Sequence, residues 1–181
     1  MAGYTQFIPA FEMVKAYGFA YKTHIEISEI DGIIGSLNLP VNYPNAAVTL
    51  LKQAALSLRT LEKSSNSEFD YTHYVHPAYR ALEGHIKFLF EQMGYHIDEL
   101  SVGGNHFDKD KGTSVFFLKT KKLKEHGLAA RLTSGYNLYC ANRHKASHFG
   151  EILGEIDTTL LIESPEDAKH RIKEVFEEIK F

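Results

Sequence analysis

The segment from residue 45 to residue 64, NAAVTLLKQAALSLRTLEKS, constrains the fold of this chain more than any other stretch. Its apolar residues recur at intervals of three and four, at Val48, Leu51, Ala55, Leu58 and Leu61. This spacing puts them on one face of an α-helix, and Asn45 is a residue type that often caps a helix start. Such a helix is stable only when its apolar face packs against other elements, so the segment predicts packed helical layers.

Further helices are predicted on both sides of this segment. One runs from about residue 76 to 93, with Pro77 in its first turn and Gly94 as its stop. Its apolar stripe consists of Leu82, Ile86 and Phe90. A second extends from Leu128 through Tyr139 toward Gly150, and a third follows the cap Ser164 and Pro165. A weaker helical spacing joins Ile27, Ile30, Ile34 and Leu37.

The evidence for strands is slight. The apolar run at 115 to 118, VFFL, favours a short strand, and DTTLLIE at 157 to 163 has the composition of another. The stretch at 101 to 112, SVGGNHFDKDKG, is typical of a loop between helical layers. The predicted fold class is therefore mainly α, a helical bundle with at most a small β element.

The cysteine count and the distribution of apolar residues indicate where in the cell the protein is found. A single cysteine cannot form an internal disulfide, and the first residues lack the charged and then apolar pattern of a secretory signal. The longest apolar runs are only a few residues, whereas a membrane-spanning helix needs about 20. We therefore expect a cytoplasmic protein that does not cross a membrane.

Positive charge is concentrated in one part of an acidic chain. The net charge is −3, yet residues 119 to 150 carry seven Lys/Arg and one acid, for a local charge of +6. Residues 1 to 118 sum to −4 and residues 151 to 181 to −5. An anion that docks on this protein is expected there, although a solvated run of lysines would give the same count.

The basic region contains NRHKASH, in which Arg143 and His148 are separated by four residues. Histidine can transfer a proton near neutral pH, and arginine can hold a phosphate and the charge of its transition state, so the pair suffices for RNA cleavage without a metal. Five residues of a regular helix turn about 500°, so the two side chains would diverge unless the helix bends or two copies meet. A solvated helix face remains the alternative.

A metal site is the other alternative for the histidines. His144 and His148, four residues apart, can share one helix face. No acidic residue lies in that segment, and the chain contains no HExxH motif, so a third ligand would have to come from elsewhere. We therefore predict no metal and no cofactor. Cys140 lies among apolar neighbours and is expected to be a buried structural residue.

The arrangement of these motifs resembles a known family. NRHKASH is similar to the Arg-x(4-6)-His signature of HEPN ribonucleases. Together with HPAYRALEGHIKFLF upstream, YNLYCANRHKASHF resembles the C-terminal catalytic domain of the RNase LS toxins, the RnlA/LsoA family. The resemblance covers residues 25 to 181, which it implies are one HEPN-like ribonuclease domain, and leaves residues 1 to 24 as an N-terminal extension or helix.

The resemblance implies a glutamate in the active site, at the position of Glu83. The residues themselves allow two partners for this carboxylate, which lies beside the apolar stripe and so needs one. It can orient Arg143 or His148, or it can pair with Arg80 or Lys87 on its own helix, at spacings of three and four.

The family resemblance implies a metal-independent endoribonuclease that cleaves single-stranded RNA to 2′,3′-cyclic phosphate ends, as a toxin of a toxin–antitoxin or phage-defence system. Arg143, His148 and Glu83 are then the catalytic residues. Its partners are RNA, a second copy of the chain in a homodimer and a cognate antitoxin. Candidate substrate-binding residues near the motif are His144, Lys145, Asn142 and Tyr139, the last of which core packing also explains. The alternative is a catalytically silent helical module that binds RNA or a protein.

Overall fold

The computed structural model describes residues 25–63, 68–98, 101–147, 152–153, 156–157 and 161–181; for residues 143–147 and the two strands beyond them, the description is of the backbone. Its elements in chain order are α1 (Ile27–Gly35), α2 (Asn45–Lys63), α3 (Thr72–Gln92), β1 (Phe107–Lys109), β2 (Phe116–Leu118), α4 (Lys121–Lys124), α5 (Ala129–Ser147), β3 (Ile152–Leu153), β4 (Ile156–Asp157) and α6 (Pro165–Ile179). The predicted mainly α fold is confirmed, with β1–β2 and β3–β4 as two antiparallel pairs.

Helix α3 is the centre of the core, packed against α2, α5 and α6. Its predicted stripe is confirmed, because Leu82, Ile86 and Phe90 are each 0% exposed. Helix α2 begins at Asn45 as expected and ends at Lys63, and α1 packs on it. Among the described helices, none is both long and apolar enough to span a bilayer.

The predicted start of α3 at residue 76 is wrong by four residues. The Asp70 carboxylate accepts a hydrogen bond from the backbone N–H of Thr72 (2.9 Å) and another from the Thr72 hydroxyl, which starts the helix at Thr72. Pro77 therefore lies inside α3 and not in its first turn, and it costs the helix one backbone hydrogen bond. The predicted end is confirmed: Gly94, with φ of +78°, follows Met93 at the helix terminus.

The stretch 101 to 112 is not a simple loop between layers. A 3-10 turn at Gly104–His106 leads into β1, which pairs with β2 in the register Phe107↔Leu118, Asp108↔Phe117 and Lys109↔Phe116. The turn between the strands is closed by Asp110, whose Oδ1 accepts bonds from the N–H groups of Gly112 (2.9 Å) and Thr113 (2.7 Å). The prediction of a strand at 115 to 118 is confirmed at residues 116 to 118.

The predicted strand DTTLLIE is wrong over its described second half, because residues 161 to 163 form no strand. Ile162 is instead buried beside the start of α3, where its carbonyl accepts a hydrogen bond from the N–H of Tyr71 (2.8 Å). The closing helix is confirmed: α6 begins at Pro165, and Ser164 Oγ accepts a hydrogen bond from the N–H of Asp167 (3.1 Å).

Candidate functional site

The candidate site is built where α5 crosses α3. A Cβ placed on Gly135 would lie 3.7 Å from Ile86 Cγ1, and one turn further along α5 the Tyr139 hydroxyl donates to Glu83 Oε2 (3.4 Å). Residue numbers thus rise along α5 in the direction in which they fall along α3, so the two helices are antiparallel. The next turn brings residues 142 and 143 level with residues 79 and 80.

Position 143 lies on the face of α5 that meets α3. It follows Tyr139 by four residues, which on an α-helix is a rotation of about 40° past a full turn. Because Tyr139 reaches Glu83, the backbone places Arg143 one turn beyond that contact. Glu83 and position 143 therefore belong to one helix interface, and the catalytic roles of both residues stay predictions.

His148 lies outside the described residues, and its catalytic role stays a prediction. Helix α5 extends through Ser147, the residue before His148.

The carboxylate of Glu83 has partners on both helices. Its Oε1 lies 3.5 Å from Lys87 Nζ, the neighbour on its own helix that sequence spacing offered as the alternative, while Oε2 takes the bond from Tyr139. Its side chain is 25% exposed. A half-shielded carboxylate of this kind can orient a nearby cation or imidazole, which is the role predicted for it.

The predicted substrate-binding residues occupy different environments. The ring of Tyr139 is buried at 7% exposure, and only its hydroxyl reaches the polar side of the interface. Asn142 donates to the carbonyl of Leu138 (3.1 Å) and accepts from Arg171 Nη1 (2.7 Å). His144 and Lys145 are described as helical backbone only. Contact of these four with RNA stays a prediction.

Arg171 is the residue at this site that sequence reasoning missed. From α6 its Nε donates to Asp167 (2.9 Å) while its Nη1 holds Asn142, the neighbour of Arg143 on α5. Its side chain is 18% exposed. Burial disfavours the charged guanidinium, but Tyr79 on α3 and Asp167 raise the pKa of Arg171 above its ordinary value. Hydrogen bonds from this one cation thereby join α5 and α6 beside the candidate site.

The signal for Arg171 in the sequence is only the pair Asp167 and Arg171 at i and i+4. That spacing is common on solvent-exposed helix faces and does not predict the bond from Arg171 to Asn142.

Two side chains of α5 that precede the site attach the β1–β2 hairpin. The Tyr136 ring stacks on Phe107, with centroids 3.8 Å apart and planes 4° from parallel. The Asn137 amide bonds both backbone groups of Phe116, accepting from its N–H (2.8 Å) and donating to its carbonyl (2.9 Å). The hairpin is thus fixed to α5 two turns before Arg143.

The chemistry available at the site is that of cations, a carboxylate and hydroxyls. Within the ranges that the structure describes, no three His, Cys, Asp or Glu side chains cluster so as to hold a metal ion. Burial raises the pKa of the Cys140 thiol, which is half-buried against the core, and so disfavours its nucleophilic thiolate form. We therefore assign Cys140 no nucleophilic role.

A family model and a solved structure to which this chain is similar are both of bacterial toxins. Residues 36–150 match the family model described as "RNase LS, bacterial toxin DBD domain". The fold is similar to that of the Escherichia coli toxin LsoA, solved in complex with the T4 phage antitoxin Dmd, with a TM-score of 0.67 and 21% sequence identity. The match covers 94% of this chain and 65% of the LsoA chain, so the chain spans somewhat less than two thirds of that toxin. No curated protein sequence matches it.

Proposed function

The chain belongs to the family of the RNase LS bacterial toxin DBD domain, and on this premise we propose that it is a metal-independent endoribonuclease that acts as a toxin of a toxin–antitoxin or phage-defence pair. The observation that carries the proposal is the contact between Tyr139 and Glu83. It joins the helix of the predicted catalytic carboxylate to the face of α5 on which position 143 lies, so that two residues 60 positions apart in sequence share one interface.

The reaction proposed is an internal transfer at phosphorus. The 2′-hydroxyl of a ribose attacks the adjacent phosphorus, the bond to the 5′-oxygen of the next nucleotide breaks, and the products end in a 2′,3′-cyclic phosphate and a 5′-hydroxyl. His148 moves the proton, Arg143 holds the phosphate oxygens and the charge of the transition state, and Glu83 orients one of them. Arg171 and Asn142 hold the turn of α5 to which residue 143 belongs.

We extend the proposal to a homodimer. On a regular helix two residues five positions apart would diverge by about 140°, so a second copy facing the first would complete the cleft around Arg143 and His148. Light scattering of the purified protein is expected to give a dimer; a monomer that is fully active at nanomolar concentration would contradict the composite cleft.

We also infer a protein partner that silences the toxin. LsoA was solved with an antitoxin, and this chain shares its fold. A cognate antitoxin is therefore expected to bind this chain and to suppress its activity, which co-expression with candidate partners would test through cell growth.

The direct test of the activity is incubation of the purified protein with end-labelled RNA in excess EDTA, followed by analysis of the product ends. Cleavage that persists and leaves cyclic-phosphate ends is expected. Activity that disappears with EDTA and returns with Mg2+ or Mn2+ would contradict the metal-independent mechanism. RNA that is bound but left intact would favour the alternative, a catalytically silent binding module.

A further inference from the structure

The outer face of the β1–β2 hairpin and the adjoining α4 combine an exposed aromatic ring with lysines. Phe107 and Leu118 face the core at 4% and 3% exposure, so the next pair in the register, Asp108 and Phe117, faces outward. Phe117 is 43% exposed, and Lys124 Nζ from α4 lies 5.7 Å from its ring centroid. We call the set Phe117, Lys119, Lys121 and Lys124 the hairpin surface.

This surface belongs to the basic region of an acidic protein. Residues 108 to 125 carry six lysines and three acids, a net charge of +3, while the whole chain has −3. Two of those acids are engaged locally: Asp110 closes the hairpin turn, and Asp108 lies 3.6 Å from Lys119 Nζ. The third acid, Glu125, is also paired: its Oε1 lies 3.6 Å from Nζ of Lys121, whose side chain is 85% exposed. A polyanion is therefore attracted to this surface, as it is to the basic residues that follow up to residue 150, more than to the acidic remainder of the chain.

The groove between α5 and α6 has the opposite character. Glu174, Glu177 and Glu178 line it together with Lys173 and His170, and burial raises the pKa of Glu178. A phosphate backbone is therefore less favoured in this groove than on the hairpin surface.

The hairpin surface adjoins the helix that carries the candidate site. Asn137 fixes β2 to α5, and Arg143 is six residues further along, about 9 Å of helix rise. His144 follows Asn137 by seven residues, which returns it to within about 20° of the same side of α5. The hairpin surface therefore lies within about two helical turns of position 143 on α5.

We propose that the hairpin surface binds a single strand of RNA, with a base stacked on Phe117 and backbone phosphates against Lys119, Lys121 and Lys124. Aromatic stacking combined with lysine contacts is the physical basis of sequence-tolerant binding to single strands, because every base has a flat face and every linkage a charge. The inference rests on the proposed function and gives it a substrate class and a direction of approach: the surface holds the strand that the site on α5 cleaves.

The test measures binding separately from cleavage. The probe is a fluorescent single-stranded 2′-O-methyl RNA of mixed sequence, which has no free 2′-hydroxyl to attack and so stays intact, and anisotropy is followed over a series of salt concentrations. Phe117→Ala should weaken binding about 5- to 100-fold. The triple variant Lys119→Gln, Lys121→Gln, Lys124→Gln should lower the slope of log affinity against log salt by about 2.

The matched control removes the same charge elsewhere. In Lys52→Gln, Lys63→Gln, Lys169→Gln the three lysines come from α2 and α6, and affinity is expected to stay within about twofold of the parent. Circular dichroism confirms that each variant is folded. Equal losses in the two triple variants, or a Phe117→Ala variant that binds like the parent, would overturn the inference. Equal binding of the duplex form of the probe would also overturn it, because paired bases cannot stack on Phe117.

Cleavage of unmodified RNA by the same proteins separates this inference from the proposed function. If the parent cleaves RNA and the hairpin variants bind and cleave it equally well, RNA binding by the hairpin surface is disproved and the ribonuclease activity is supported. If the parent does not cleave RNA but its binding depends on Phe117 and the lysines, the hairpin surface is supported as an RNA-binding site and the proposed ribonuclease activity is contradicted.

Discussion

At the scale of single residues, the Glu83 carboxylate is held by contacts from two helices. It contacts the Tyr139 hydroxyl on α5 and Lys87 on α3, at the interface where position 143 lies one turn away. Its negative charge and its contacts can each contribute to the proposed cleavage of RNA, and substitution can remove them one at a time. Substitutions at Glu83 and Tyr139 distinguish them.

We predict that Glu83→Gln, which keeps the shape and removes the charge, lowers the single-turnover rate of RNA cleavage on the order of 10²-fold. Tyr139→Phe removes only one contact to Glu83 and should cost less than about tenfold, because a bond of 3.4 Å is weak. Both rates are measured at saturating protein. Equal small losses in the two variants would show that Glu83 only pairs with Lys87.

Arg171 is expected to matter for stability because it is shielded and bound on two helices. We predict that Arg171→Met lowers the free energy of unfolding by about 2 kcal/mol, since bonds from a charged donor to Asn142 and Asp167 are lost together. Lys169→Met is the matched control on α6. Its partner Glu166 is 73% exposed, and the expected loss is below about 0.5 kcal/mol. Urea unfolding measures both, and a similar loss in the two would contradict the anchoring role.

At this scale the sequence predicts caps well and tertiary partners poorly. Ser164 before Pro165 and Gly94 after α3 are predicted correctly because a cap depends on its own neighbours in the chain. The bond from Arg171 to Asn142 depends on how α5 and α6 pack, which no local pattern encodes.

At the scale of elements, the entry into the β1–β2 hairpin depends on a glycine packed against α3. Gly103 has φ of +78°, and a Cβ there would lie 2.5 Å from Phe90 Cε2, a ring with 0% exposure. Gly94 has the same φ but no atom within 4 Å of the corresponding position. A residue with a Cβ would be strained by the left-handed backbone conformation at either position, but only at position 103 would it also clash with a neighbouring side chain.

We predict that Gly94→Ala costs about 1 kcal/mol of stability from backbone strain alone. Gly103→Ala should cost about 3 kcal/mol, because the buried Phe90 ring must also move. Thermal or urea unfolding of the two variants gives the difference directly. If both variants lose the same amount, the close packing of the hairpin entry on Phe90 is wrong.

The errors in predicting elements have physical causes. Proline favours first turns and so predicts a helix start near Pro77, yet the Asp70 carboxylate begins α3 several residues earlier. The β-branched and apolar residues of DTTLLIE favour a strand, whereas Ile162 is buried by packing at the start of α3. The long periodic helices are predicted correctly, since an apolar face repeated over many residues outweighs single local preferences.

At the scale of the whole molecule, a buried histidine makes stability depend on pH. His85 on α3 is 0% exposed, with the Tyr43 hydroxyl 3.1 Å from Nδ1 and the Phe181 ring against it. Burial, and then the nearby Arg131 charge, lower the pKa of His85 to about 3. The folded state therefore keeps His85 neutral where the unfolded chain, with a histidine pKa near 6.5, already binds a proton.

We predict that stability falls as pH drops below about 6.5 and continues to fall toward pH 3, by up to about 1.4 kcal/mol for each pH unit from this group. His85→Gln cannot take up the proton and should show a smaller slope between about pH 7 and 5. The matched control His73→Gln changes a histidine that is 60% exposed and should keep the parent slope. Urea unfolding at each pH supplies the slopes, and equal slopes in parent and His85→Gln would contradict a neutral buried His85.

The bundle as a whole could be predicted from the sequence, because its long helices carry their apolar faces in their own spacing. The position of His148 and the pairing of two copies could not be derived in this way, since both depend on the path of the chain beyond Ser147. The proposed ribonuclease activity therefore depends most on whether His148 transfers a proton, and only its spacing from Arg143 distinguishes it in the sequence from its neighbour His144.

The measurement that tests this most directly is single-turnover cleavage of a labelled RNA in EDTA by Arg143→Ala, His144→Ala and His148→Ala. We predict that His148→Ala lowers the rate on the order of 10²- to 10⁴-fold with RNA affinity nearly intact, and alters the pH dependence near neutrality. His144→Ala should be the milder change, and Arg143→Ala should reduce both binding and rate. Equal and minor effects of the two histidine substitutions, in variants whose circular dichroism matches the parent, would contradict the catalytic site and leave the motif as a solvated helix face.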